Sequence, residues 1–120
     1  MSQSGSQAAA FFRDVPVKGE VWTIRDEGGY PAPLVAPDRR SMPFWSSRSR
    51  VIKIIKNVAT YAGFEPVAIS LDVWVGDWLP ELSQDNMLVG INWSGTRVVG
   101  WDFEVPEVIA RLNAASTHQP

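Results

Sequence analysis

The chain has no cysteine, and its single histidine, His118, stands third from the end. The first absence excludes a disulfide framework and any thiolate metal site. The second leaves a serine–histidine–aspartate triad without the rigidly oriented imidazole it needs, because nothing in the tail anchors His118. Long hydrophobic runs are missing too, and no span approaches the roughly 20 apolar residues that cross a bilayer. The first dozen residues carry no positive charge and only the short apolar run from Ala8 to Phe12, so no secretory leader is expected and the cytoplasm is the expected compartment. In that compartment the sequon at Asn92, Trp93 and Ser94 is accidental. No internal repeat or low-complexity tract is present.

What the chain does have is aromatic bulk: six tryptophans in 120 residues, in a composition 45% hydrophobic and 20% charged. That length fits one domain with one core. Each buried tryptophan removes on the order of 150–250 Å² from water, so most of the six are expected inside. The expected domain spans residues 7–115, between disordered segments at 1–6 and 116–120.

Charge is small in total, −2, but segregated along the chain. Arg39, Arg40, Arg48, Arg50, Lys53 and Lys56 follow Asp38, whereas Glu65, Asp72, Asp77, Glu81 and Asp85 occupy a stretch without a base. The two segments can complement each other, or the basic strip can steer an acidic partner.

Periodicity and punctuation predict a mixed chain. A short helix is expected from Gln7 to Asp14, ended by Pro16. Val21 to Arg25 alternates as a strand, Asp26 to Gly29 makes a turn, and Leu34 to Ala36 is the expected return strand, held to a sheet edge by Pro31, Pro33 and Pro37. A short strand is placed at Pro43 to Trp45. Ser46 or Ser47 caps a helix from Arg48 to Tyr61 that stops at Gly63, with Val51, Ile52, Ile54, Ile55, Val58 and Ala59 on one arc and Arg50, Lys53, Lys56 and Asn57 on the other. Pro66 to Ser70 reads as a strand. Ser70 then caps a helix from Leu71 to Leu79, which places Trp74 and Trp78 on one buried face, and Pro80 ends or kinks it. Leu88 to Trp93 and Thr96 to Trp101 form a hairpin around Ser94 and Gly95. A last helix runs from Pro106 to Ala114. The expected fold class is α+β: a single domain in which helices pack against a mainly antiparallel sheet of about five strands.

Candidates for chemistry are sparse. Asp77, Glu81 and Asp85 recur at intervals of four, but Pro80 breaks the register, and no metal site is expected. Asp102 and Glu104 can act as acid and base only if one is buried with a raised pKa; otherwise they are cap and loop residues. Gly28 and Gly29 lack the spacing and following helix of a phosphate-binding loop. Recognised RNA-binding motifs are absent, so nucleic acid is not an expected partner. No cofactor is expected.

Three short blocks recur in order: Pro43, Phe44, Trp45, Ser46, Ser47; then Trp78, Leu79, Pro80, Glu81, Leu82; then Val89, Gly90, Ile91, Asn92, Trp93. Together they resemble the bacterial family known as domain of unknown function 2750, over most of the chain. That resemblance implies no activity and no catalytic residue. The aromatic-Ser-Ser-helix and Gly-Ile-Asn segments are more distantly similar to SseB-like domains.

The leading expectation is therefore a cytosolic, non-catalytic binding or protein-interaction module, with a surface made by Arg50, Lys53 and Lys56 beside Phe44 and Trp45. The alternatives are a carboxylate-dependent enzyme acting on a small molecule, marked by a buried unpaired carboxylate, and an immunity-type protein that blocks a toxin by covering a basic site.

Overall fold

The computed structural model describes residues 3–95 and 99–117. Helix α1 (Gln3–Lys18) is longer than expected at both ends and runs through Pro16. A proline forfeits one helix hydrogen bond, and in the last turn little else is disturbed. Gly19 then closes the helix, donating to Val15 O at 2.8 Å and turning the backbone into the left-handed region at φ +71°.

Strand β1 (Glu20–Arg25) ends in a turn in which Asp26 Oδ1 accepts from Gly28 N at 2.8 Å. The expected return pairing fails here. β2 (Leu34–Ala36) pairs antiparallel with β3 (Arg39–Phe44), while β1 takes β4 (Glu65–Ser70) as its antiparallel partner. Pro31 and Pro33 supply no amide to continue a ladder beside β1, so the chain leaves that edge. The main sheet has the order β2-β3-β5-β6, completed by β5 (Leu88–Ser94) and β6 (Val99–Phe103). Among the described residues the strands thus number six in two sheets, antiparallel except for the parallel pair β3 and β5. Trp22 and Trp45 exchange backbone bonds of 2.8 and 2.7 Å, and Thr23 Oγ1 donates to Pro43 O at 2.9 Å, which joins the β1–β4 ribbon to the end of β3. The hairpin of β5 and β6 is present as expected, with Gly95 at φ +80°; its Thr96 lies outside the described residues.

Ser47 caps α2 (Arg48–Asn57), accepting from Arg50 N. The helix stops four residues short of Tyr61 because Val58 turns to extended backbone, which keeps its side chain in the core; a 3₁₀ turn follows at Ala59–Tyr61. Between Leu71 and Gln84 the chain stays helical through Pro80, which was expected to end or kink the helix, and accommodates it by an irregular turn. α3 (Leu71–Val73), capped by Ser70, leads into a π-helical segment (Trp74–Trp78) and then α4 (Leu79–Gln84). Leu79 N donates to Trp74 O, five residues back. That wider turn leaves room for the Pro80 ring, and Pro80 sits in the first turn of α4, where a missing amide costs least. α5 (Val105–Thr117) begins where Glu104 O accepts from Glu107 N and Val108 N.

Consecutive strand residues point to opposite faces, and Phe44 and Trp45 enter different cores. On one side Phe44 meets Phe11, Trp74, Val89, Ile91, Phe103 and Val108 under α1, α5 and the π segment. On the other, Trp45 packs with Ile24, Val51, Ile54, Val58, Tyr61 and Trp93 under α2. Trp74 and Trp78 share a face as expected, each edge-on to Phe44 at 5.2 and 5.9 Å, but only Trp74 is fully buried. Trp78 is half-buried, because the π turn rotates it toward the pocket beside Tyr30. Replacing Trp74 with Ala is expected to cost about 3–5 kcal/mol, as for other large aromatic deletions from cores, and Trp78→Ala distinctly less. Denaturant unfolding of the two variants checks this; equal losses would contradict the difference in burial.

Candidate functional site

The site is organised by an irregularity in β5. Its register with β6 shifts between Ile91 and Ser94, and within that bulge Asn92 adopts φ +47°, a conformation asparagine tolerates better than most residues. The turn drives the Asn92 side chain inward, where it is fully buried. Asn92 Oδ1 accepts from Ser46 N at 2.9 Å, and its Nδ2 donates to Gln7 O at 2.9 Å and to Ser46 Oγ at 3.2 Å. One amide therefore ties α1, the loop that caps α2, and the end of β5 together.

Trp93, the next residue, lies flat across two glycines. A Cβ at Gly90 would come within 2.5 Å of its ring, and one at Gly100 within 2.7 Å, so both positions need to be bare for the indole to settle on the sheet. Trp45 Nε1 fixes the same segment by donating to Trp93 O at 2.8 Å.

Above this base opens a cleft of about 760 Å³ between α1, α2 and the turn after β5. Its floor includes Ile54 and Trp93; its polar walls carry Gln7, Ser47, Ser49 and Asn57; and its charges are Lys18, Arg50, Lys53 and Asp14. Asp14 already faces Arg13 at 3.0 Å, and Arg50 Nη1 donates to Gln7 Oε1. Among the described residues no ion pair holds Lys18 or Lys53.

Of the residues singled out from the sequence, the structure brings Arg50 and Lys53 into this cleft. Lys56 is exposed in the last turn of α2, where its charge suits the helix C-terminus, and does not line the cleft. Phe44 and Trp45 are not part of any surface. Both are completely buried, because the strand that carries them runs between the two cores. Lys18 escaped the sequence reading because the helix was ended before it, and Gln7 and Asn92 because neither carries charge or periodicity to mark it. An asparagine between two large apolar residues in a strand was the available signal for Asn92.

The carboxylates diverge. Asp102 is half-buried on β6; desolvation raises its pKa, against the opposing effects of Ser41 and the nearby Trp93 indole. Ser41 Oγ donates to Asp102 Oδ1 at 2.5 Å, reaching over β5 near Gly90, where no side chain intervenes. Glu104 is exposed, and the Arg39 guanidinium holds its pKa below the usual range through a two-pronged pair of 3.0 and 2.9 Å. Asp102 is thus raised but not unpaired. Asp77, Glu81 and Asp85 do not converge, and among the described residues no three such groups could hold a metal ion. No described helix is long and apolar enough to cross a membrane.

This architecture, two mostly antiparallel sheets with helices packed around two cores and a bulged strand pinning α1 to the start of α2, defines a small α+β domain. The sequence pattern of the family described as "Protein of unknown function (DUF2750)" matches residues 8–112, and the chain belongs to that family. The blocks around Trp45, Pro80 and Asn92 that carry the likeness are the strand end, the π-turn exit and the bulge. No curated protein matches the chain.

Two measurements follow from this geometry. Asn92→Gly keeps the left-handed backbone but strips three hydrogen bonds and leaves Ser46 N buried, so it should cost about 1–3 kcal/mol. Asn92→Ala should cost about 1 kcal/mol more, from backbone strain at positive φ; equal losses in urea titrations would deny the bulge that role. For Asp102, the folded state holds the proton more tightly than the unfolded chain, so stability falls as pH rises from the ordinary aspartate value of about 4 through the folded value. Asp102→Asn keeps an acceptor for Ser41 and abolishes that titration, so its stability relative to the parent should improve on going from acid to neutral pH. Glu104 has the opposite sign: its contribution is present above its unfolded pKa and fades as pH falls through the folded one. A pH-independent offset between Asp102→Asn and the parent would contradict the desolvation.

Proposed function

We propose that the protein is a non-catalytic binding module that presents the cleft between α1 and α2 to an anionic segment of a protein partner. The observation that carries this reading is the charge imbalance of the cleft. Lys18, Arg50 and Lys53 face it, and its one carboxylate, Asp14, is already engaged by Arg13. Three cations brought together without counter-charge repel one another, and an anion that enters relieves the repulsion. The wall also carries Ser47 and Ser49 at the start of α2, whose hydroxyls lie 3.1 Å apart; one donates to the other, and the second keeps a proton to donate to an incoming oxygen. Ile54 and Trp93 add apolar contact beneath, the usual composition of a recognition pocket with a few convergent polar groups.

Enzymatic use of Asp102 is less well supported, since its raised carboxyl is spent on Ser41 and lies away from the cleft's charges. A toxin-blocking role draws only on the exposed carboxylates Asp72, Asp77, Glu81 and Asp85, and charge alone does not distinguish that role from solubility.

The test uses a fluorescent poly-glutamate peptide as the probe. Reversing Lys18 and Lys53 together to Glu should leave stability within about 1 kcal/mol, since exposed substitutions move it by roughly 0.5 kcal/mol each. Peptide affinity should drop at least about tenfold, a change of ~1.4 kcal/mol. Lys56→Glu, off the cleft, should have a smaller effect. Affinity in the parent should weaken with added salt, as screening shortens to about 8 Å at physiological ionic strength. Binding that is indifferent to both the double reversal and salt would sink the proposal.

A further inference from the structure

Separate from the cationic cleft, with which it shares no lining residue, lies a second pocket of about 390 Å³, lined by Tyr30, Met42, Trp78, Glu81, Leu82, Asp85 and Met87. We propose that it binds the methylated ammonium head of an organic cation. The volume falls within the roughly 300–1,000 Å³ typical of small-molecule sites.

The walls argue for a cation. Tyr30 and Trp78 meet edge to face, with ring centroids 4.9 Å apart and planes at 79°; the edge of one ring covers part of the other's face, and the angle beside that contact presents the free face of the first ring and the uncovered part of the second. The face of an aromatic ring is its negative pole, and tryptophan is the strongest of the three in holding a cation over it. Trp78 is also in edge contact with the buried Phe44 at 5.9 Å, which ties the indole to the core. Glu81 and Asp85 stand one helical turn apart at the rim, both exposed, and no arginine or lysine pairs with either among the described residues. Among the described residues no basic side chain lines the pocket. Arg25 meets only the hydroxyl end of Tyr30, and its charge is answered by Glu65 at 2.8 Å.

The choice between a bare and a methylated ammonium follows from what the recessed walls lack. Tyr30, Met42, Trp78, Leu82 and Met87 offer ring faces, thioethers and an isobutyl group to anything that enters, while the carboxylates stay at the rim in water. An ammonium with N–H bonds would bury donors with few strong acceptors around it, which is costly. A quaternary head has no donors to satisfy; its methyl groups carry the charge and pack against rings and the adaptable methionines. The rim carboxylates then supply long-range attraction and repel zwitterions that carry a carboxylate of their own.

The experiment titrates the intact protein with choline and with its uncharged isostere, in which a quaternary carbon replaces the nitrogen, and follows the Trp78 indole N–H by NMR. Choline should bind at least about tenfold more tightly than the isostere, the ratio that ~1.4 kcal/mol of cation–π attraction gives. A peptide bearing trimethyllysine, beside its unmethylated counterpart, forms the second arm. Stronger binding of the methylated peptide than of choline would assign the head to a protein partner, and the reverse to a free metabolite; either supports the pocket. Tyr30→Leu, which keeps apolar bulk but removes a ring face, and Glu81→Gln should each weaken binding several-fold with unfolding midpoints unchanged. Equal affinity for choline and the isostere, indifference to both substitutions, or no response of the Trp78 signal to either cation would overturn the proposal.

Discussion

A single buried amide holds the structure's working geometry. Asn92 makes three hydrogen bonds to two segments far from it in sequence, and it reaches them only because its own backbone leaves the strand conformation. The cost of the left-handed turn and the benefit of the bonds belong to the same residue, so neither is retained without the other. The consequence is positional: Gln7, whose carbonyl Asn92 binds, and Ser47, which follows the bound Ser46, are on the two walls of the cationic cleft. A bulge that bends one strand thereby fixes the spacing between two helices, which is how bulges beside functional surfaces commonly act.

The second constraint is Pro80. In a regular α-helix its ring would press on the preceding turn and strip a hydrogen bond, and the sequence reading accordingly placed a break there. The chain instead widens one turn into π geometry and continues. That adjustment sets Trp74 against Phe11 and Phe44 in the core and leaves Trp78 half-exposed beside Tyr30. Helical defects of this kind often accompany binding sites, and here the defect produces the aromatic corner of the second pocket.

Much of the fold was legible from local chemistry. The Ser47 and Ser70 caps and the hairpin turn at Gly95 each depend on a few neighbouring residues, and each is readable in the chain. Pairing was less so: β2 met β3 rather than β1, and the parallel β3–β5 ladder has no local signature because its partners are separated by more than forty residues. The candidate site was half legible. Arg50 and Lys53 announced themselves by charge on one helix arc, whereas the burial of Phe44 and Trp45 could not be read, since an aromatic pair beside basic residues looks the same whether it faces water or two cores.

Charge segregation along the chain had two possible outcomes, mutual neutralisation or separate surfaces, and geometry decided between them. Arg39 pairs with Glu104 on the neighbouring edge of the sheet, Arg40 donates to Ala32 O, and Arg50 to Gln7, while Glu65 is taken by Arg25. None of these partnerships joins the basic strip to the acidic stretch. Lys53 is left facing the cleft, and Glu81 and Asp85 are left on the far rim beside Tyr30 and Trp78. A net charge of only −2 thus conceals two local fields of opposite sign, in two pockets that share no lining residue. Salt screens exposed charges over about 8–10 Å, which confines each field to its own neighbourhood.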